Sequence, residues 1–138
     1  MLHMNAEVFL SCGQKKGTPE HALALKIAKE IRNLGFGVYV AVEQPSLKSL
    51  REEIFERLSN SEYFLFIDFR REQLLSQTGT KTEFRGSLFC HQELAVASYL
   101  QLKPLLFHES GVKEYDGMLG ALQANSIEFS TETHSSSL

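Results

Sequence analysis

The chain has no tryptophan, only three prolines and only two cysteines in 138 residues. Cys12 and Cys90 lie far apart and form neither a CxxC pair nor a Cys/His ligand spacing, so free thiols in a reducing compartment are expected and a structural disulfide is not. No apolar run approaches the roughly eighteen residues of a membrane span. The opening Met1-Leu2-His3-Met4-Asn5-Ala6 lacks a basic n-region and an apolar stretch, so no export signal is expected and a cytoplasmic location is. No block of lysine or arginine is present either. Fourteen basic residues stand against seventeen acidic ones for a net charge of −3, which removes the footprint of a phosphate-backbone binder and with it nucleic acid as the main partner. Gly13 and Gly17 do not fit GxGxxG or GxxxxGK[ST], which argues against a dinucleotide fingerprint or a Walker loop. His3, His21, His91, His108 and His134 are scattered without an i, i+4 pair, so no metal site is predicted.

What is present is an ordinary globular composition, 43% hydrophobic and 22% charged, at a length that suits one domain. Residues 1–130 are read as that domain, and residues 131–138, ending Ser-Ser-Ser-Leu, as a disordered tail. Five β-prone runs stand out: Glu7 to Ser11, Gly37 to Val42, Tyr63 to Phe69, Lys103 to His108 and Ile127 to Phe129. The third, Tyr-Phe-Leu-Phe-Ile-Asp-Phe, is almost unbroken apolar sequence, as a strand covered on both faces requires, and belongs at the sheet centre. The short fifth run suits an edge.

Helical patterns fill the gaps between these runs. The first starts at Thr18 as N-cap with Pro19 in the first turn, carries the stripe Leu23, Ile27, Ile31 and Leu34, and stops at Gly35. The second begins at the capping-box pattern Ser49-Leu50-Arg51-Glu52 and buries Ile54 and Leu58. A third spans about Phe89 to Leu102, and a weaker fourth covers Tyr115 to Ala124, with Gly117 and Gly120 against it. The stretch from Arg70 to Ser87 is long and polar and reads as a mobile loop.

Strands alternating with helices imply right-handed crossovers and a flavodoxin-like three-layer α/β domain, its parallel sheet of about five strands ordered 2-1-3-4-5. Ligands of that topology bind beyond the carboxyl ends of the strands. Those ends carry Ser11-Cys12-Gly13, Gln44 and Ser46, and Phe69-Arg70; with Arg85 and Phe89 at the far side of the loop, these are the candidate substrate contacts. Ser11 and Cys12 suit ribose or phosphate, or simply a buried strand end. Arg70, Arg71 and Arg85 suit phosphates, or a carboxylate partner.

On a wheel at about 100° per residue the third helix puts Phe89, Val96, Ala97 and Leu100 on one face and His91 and Ser98 opposite. Glu93 falls in the middle of the apolar face. A buried carboxylate must pair with a cation, hold a proton or line a cavity, so the alternatives are an ion pair with Arg70, Arg71 or Arg85 and a functional site. Cys90, one turn earlier, reads as a small buried hydrophobe or as a reactive thiol.

Ser87-Leu88-Phe89-Cys90-His91-Gln92-Glu93-Leu94 resembles the Ser-x-Trp-Cys-x-x-Glu-Leu segment of the Toll/interleukin-1 receptor (TIR) family, with Phe89 in place of the tryptophan. Val8-Phe9-Leu10-Ser11, Gly35 to Val40, and Ser61 with the run that follows it are similar to the family's first three strands, so the likeness covers about residues 7 to 108. Glu43-Gln44-Pro45-Ser46 departs from the Asp and Gly pattern usual after the second strand, the loop through which the family self-associates. The resemblance implies a catalytic Glu93 in an NAD glycohydrolase acting in defence or stress signalling, with NAD as substrate and no separate cofactor. It also implies a homo-oligomer or a partner signalling protein, and in non-catalytic members an interaction module alone. The nucleoside 2-deoxyribosyltransferase-like group is similar in fold and in a helix carboxylate ahead of Lys103-Pro104; it too breaks N-glycosidic bonds. A carboxylate suits such chemistry because positive charge develops on the ribosyl carbon. Asp68 and Lys103-Pro104 also match part of a phosphoacceptor receiver domain, but Ser11-Cys12 stands where its acidic pair belongs.

Overall fold

The computed structural model describes residues 6–12, 17–42, 47–70, 72–74, 83–86, 88–113 and 125–130. Five parallel strands, β1 (Glu7–Ser11), β2 (Gly37–Val40), β3 (Tyr63–Asp68), β6 (Lys103–Glu109) and β7 (Ile127–Phe129), form one sheet in the order β2-β1-β3-β6-β7. This is the 2-1-3-4-5 order of a flavodoxin-like fold. β3 lies at its centre, paired with β1 on one side and β6 on the other, and is buried from Phe64 through Asp68. β7 is an edge strand, as its length suggested.

α1 (Pro19–Asn33) starts where the Thr18 hydroxyl accepts the His21 N–H at 3.2 Å. It ends at Gly35, whose φ of +98° closes the last turn, with Gly35 N bonded to Arg32 O and Phe36 N to Ile31 O. Ala24 and Ala28 are its buried residues, with Leu23, Ile27 and Ile31 packed partly against the sheet. Leu34 does not join this stripe: the helix ends at Asn33, and Leu34 is its C-cap and 76% exposed.

The second helical stretch begins earlier than expected. α2 (Leu47–Ser49) runs into a π-helical segment (Leu50–Phe55) and then α3 (Glu56–Ser59). Ser49 is already helical, at φ −61° and ψ −39°, and makes no side-chain cap, so the capping-box start does not hold. Ile54 and Leu58 are fully buried, as their spacing predicts.

The polar stretch after β3 is not simply a loop. β4 (Glu72–Leu74) and β5 (Glu83–Arg85) pair antiparallel, and Phe84 is stitched to the end of β6 through Phe84 N to Gly111 O at 2.9 Å and Lys113 N to Phe84 O at 2.8 Å. α4 (Leu88–Tyr99) follows. It stops short of Leu102 in a Schellman turn, with Leu102 N bonded to Ala97 O, Gln101 N to Ser98 O, and Gln101 in the left-handed region at φ 60°. The expected helix over 115–124 and the tail at 131–138 lie outside the described residues.

Two apolar layers sandwich the sheet. One holds Phe9, Phe64, Phe66 and Leu106 against Ile54, Leu58, Cys90, Leu94 and Ala97. The other holds Val8, Leu10, Leu65 and Ile67 against Ala24 and Ala28. Rightward right-handed crossovers place α2, α3 and α4 on the first face, and the one leftward crossover places α1 on the second.

Candidate functional site

Side chains alternate along a strand, so Ser11 shares the α4 face with Phe9, and Asp68 shares it with Phe64 and Phe66. Ser11 and Asp68 sit at the carboxyl ends of neighbouring strands, and both are wholly buried. α4 lies over them. The Ser11 hydroxyl donates to Glu93 Oε1, and Glu93 is only 3% exposed. Beside it, His91 Nε2 lies 2.9 Å from Asp68 Oδ2, and the imidazole stands edge-on to the Phe66 ring at 5.3 Å. The contact is an ion pair whenever the imidazole is protonated.

A third polar group flanks the strip. Tyr39 on β2 packs against Phe9 with ring centroids 5.4 Å apart and takes the Arg57 guanidinium over its ring at 4.9 Å. Burial raises its phenol above the ordinary value of 10.0; Glu53 adds to the rise, as does the Glu93 carboxylate, while Arg57 opposes it. The cleft next to Tyr39, about 260 Å³, is lined by Glu7, Glu52, Glu53, Glu56 and Arg57 among others. Four glutamates to one arginine make it a poor seat for phosphate.

The sequence candidates divide. Ser11 and Glu93 come together. Cys12 and Phe69 do not reach them: both side chains pack in the α1 layer, Phe69 edge-on to Phe129 at 5.8 Å. Alternation already required this, since Cys12 follows Ser11 and Phe69 follows Asp68. Arg70 is held at the end of β6, where its N–H donates to Glu109 Oε1 at 2.8 Å, its Nε donates to Ser110 O, and its guanidinium lies over Phe84 at 4.9 Å. Arg85 falls in β5 and Phe89 in α4. Gly13, Gln44 and Ser46 lie outside the described residues.

No family model and no curated protein matches the chain.

His91 is the residue the wheel misplaced. It was expected opposite the apolar face and is 2% exposed, because α4 is gripped on both flanks and not along one stripe. Asp68, Cys90 and His91 bring an oxygen, a sulfur and a nitrogen within 4.8 Å of one another, all buried. That donor set suits zinc or another borderline transition ion. The arrangement it has here is the direct carboxylate–imidazole contact. Among the described residues no helix is long and apolar enough to cross a membrane.

Proposed function

We propose that the chain is a TIR-like NAD glycohydrolase in which Glu93 stabilises the ribosyl cation as nicotinamide leaves. The observation that supports this is a carboxylate buried at the carboxyl edge of a parallel sheet and held by a serine hydroxyl on the adjoining strand. Nicotinamide departs neutral from a cationic ring, so the step asks for no general acid. It asks for a fixed negative charge close to the anomeric carbon, in surroundings where that charge is not dissipated by water. The likeness of residues 87–94 to the TIR segment adds to the reading. It extends to a cytoplasmic role in defence or stress signalling, as a homo-oligomer or with a partner signalling protein.

One observation favours a second reading. At 3% exposure Glu93 offers little surface to a substrate, which suits a non-catalytic interaction module. The same assay separates the two. Purified protein, dilute and concentrated, is incubated with NAD and, in parallel, with deoxynucleosides, and the released base is measured. Nicotinamide release supports the proposal, base release from deoxynucleosides supports a deoxyribosyltransferase-like enzyme, and no release from either supports the module. Glu93→Gln keeps volume and an acceptor for Ser11, so it should fold normally and lose about 10²–10³-fold in turnover. Full activity in that variant would remove Glu93 from the chemistry.

A further inference from the structure

α4 buries a central line of Cys90, Leu94 and Ala97. At about 100° per residue these three fall within roughly 60° of one another around the axis. His91 and Glu93 lie on opposite sides of that line, near +100° and −60° from Cys90 by the same rule of about 100° per residue. Each reaches down to a different strand. His91 contacts Asp68 on β3 at 2.9 Å, and Glu93 takes the Ser11 hydroxyl on β1. Asp68 is itself hemmed in: a Cβ added at Gly86 would collide with Asp68 Oδ1, so the backbone leading into α4 closes over the carboxylate.

Two tethers on opposite flanks of one helix resist rotation in both senses. A side-chain head about 6 Å from the axis moves about 1 Å for every 10° of roll. We infer that Asp68 and His91 are positioning residues, which fix the roll of α4 and so hold the Glu93 carboxylate against Ser11. The kinetic consequence of this rests on Glu93 being the catalytic carboxylate; the geometric one does not.

The test uses the full chain with ¹³C-labelled glutamate, the Glu93 side-chain resonance being assigned by its loss in Glu93→Gln. His91→Leu removes the tether, whereas His91→Gln keeps a donor near the place of Nε2. In His91→Leu the Glu93 resonance should move in the direction that Ser11→Ala moves it, and in His91→Gln it should stay near the wild-type position. With NAD, His91→Leu should lower kcat about ten- to a hundredfold, the scale of a 1 Å misplacement, and change KM by no more than about twofold. His91→Gln should recover most of that loss, which a merely structural role would not require of it. If His91→Leu does not fold, Asp68→Asn, of equal volume, is expected to give a smaller shift of the same sign. An unmoved Glu93 resonance in the folded variant overturns the inference whatever the activity. A moved resonance in a protein that releases no nicotinamide upholds the positioning and removes the glycohydrolase instead. A stoichiometric transition metal in the purified protein also overturns it, since Asp68 and His91 would then be ligands, with Cys90, in place of a tether.

Discussion

The two faces of the sheet are built from the same kinds of strand and end up chemically different. The α4 face is roofed by α4 and by the helical stretch from α2 to α3, and carries Ser11, Asp68, His91 and Glu93, all buried. The α1 face is apolar, and among the described residues α1 alone covers it. A groove of about 430 Å³ runs there from Ile27 and Ile31 to Leu105, Phe107 and Phe129, and Leu105 is 52% exposed. The contrast follows from handedness: the crossovers into β3 and into β6 run the same way along the sheet and must pass over the same face. A closed face can hold charged groups provided they satisfy one another, because removing any one strands its partner in a dry layer. An open face has no such constraint and is filled with side chains that need no partner.

The largest expected effect contrasts one phenylalanine from each face. Phe66→Ala, at a fully buried position, should cost about 3–5 kcal/mol by urea unfolding, and Phe107→Ala, half-buried beside the groove, roughly half of that. Equal losses would mean that the α1 face is as tightly closed as the other. Next comes Gly86→Ala, whose new methyl has no room beside Asp68. Gly86 does not hold a positive φ, so the cost is steric alone, about 1–3 kcal/mol, and should appear as a lowered melting temperature. A neutral result would show that the backbone over Asp68 gives way to the methyl.

The smallest effect lies in pH. Tyr39 has its phenol pushed above 10.0 in the folded protein, burial being the main cause. The folded state therefore keeps that proton longer than the unfolded state. Its contribution is intact below about pH 10 and is lost as pH rises through the higher folded value. Tyr39→Phe should flatten this alkaline loss and leave the neutral-pH profile unchanged. Stability curves of the two proteins that fall in parallel above pH 10 would show that Tyr39 is not responsible.

Much of the frame was legible because local rules and tertiary packing agree there. The nearly unbroken apolar run at 63–69 suits a strand covered on both faces and forms one, and Thr18 and Gly35 bracket α1 with side-chain and backbone bonds that their residue types supply. Legibility failed where an element breaks its own habit. α4 is closed by Gln101 at φ 60°, a place where glycine is usual, so the helix read as running on to Leu102. β4 and β5, Glu-Gln-Leu and Glu-Phe-Arg, are too short to show a period, and their pairing depends on the β6 end to which Phe84 is stitched. At the site, the odd placement of Glu93 was visible on the wheel. Its partner Ser11 became visible only once β1 and α4 shared a face, and the Asp68–His91 contact had no signal at all, because a wheel assumes one buried stripe.

The strand order also has a history within each molecule's synthesis. Phe9 pairs with Tyr39 on one side and with Phe64 on the other, and Phe64 in turn pairs with Pro104. A growing chain can thus finish one edge of β1 early, but the other stays unsatisfied until β3 emerges, a delay of seconds at about 5–20 residues per second. β3 then waits again for β6. Until β6 is made, the apolar β3 has no partner for its second edge, and an unpaired apolar strand edge is the kind that invites wrong pairing.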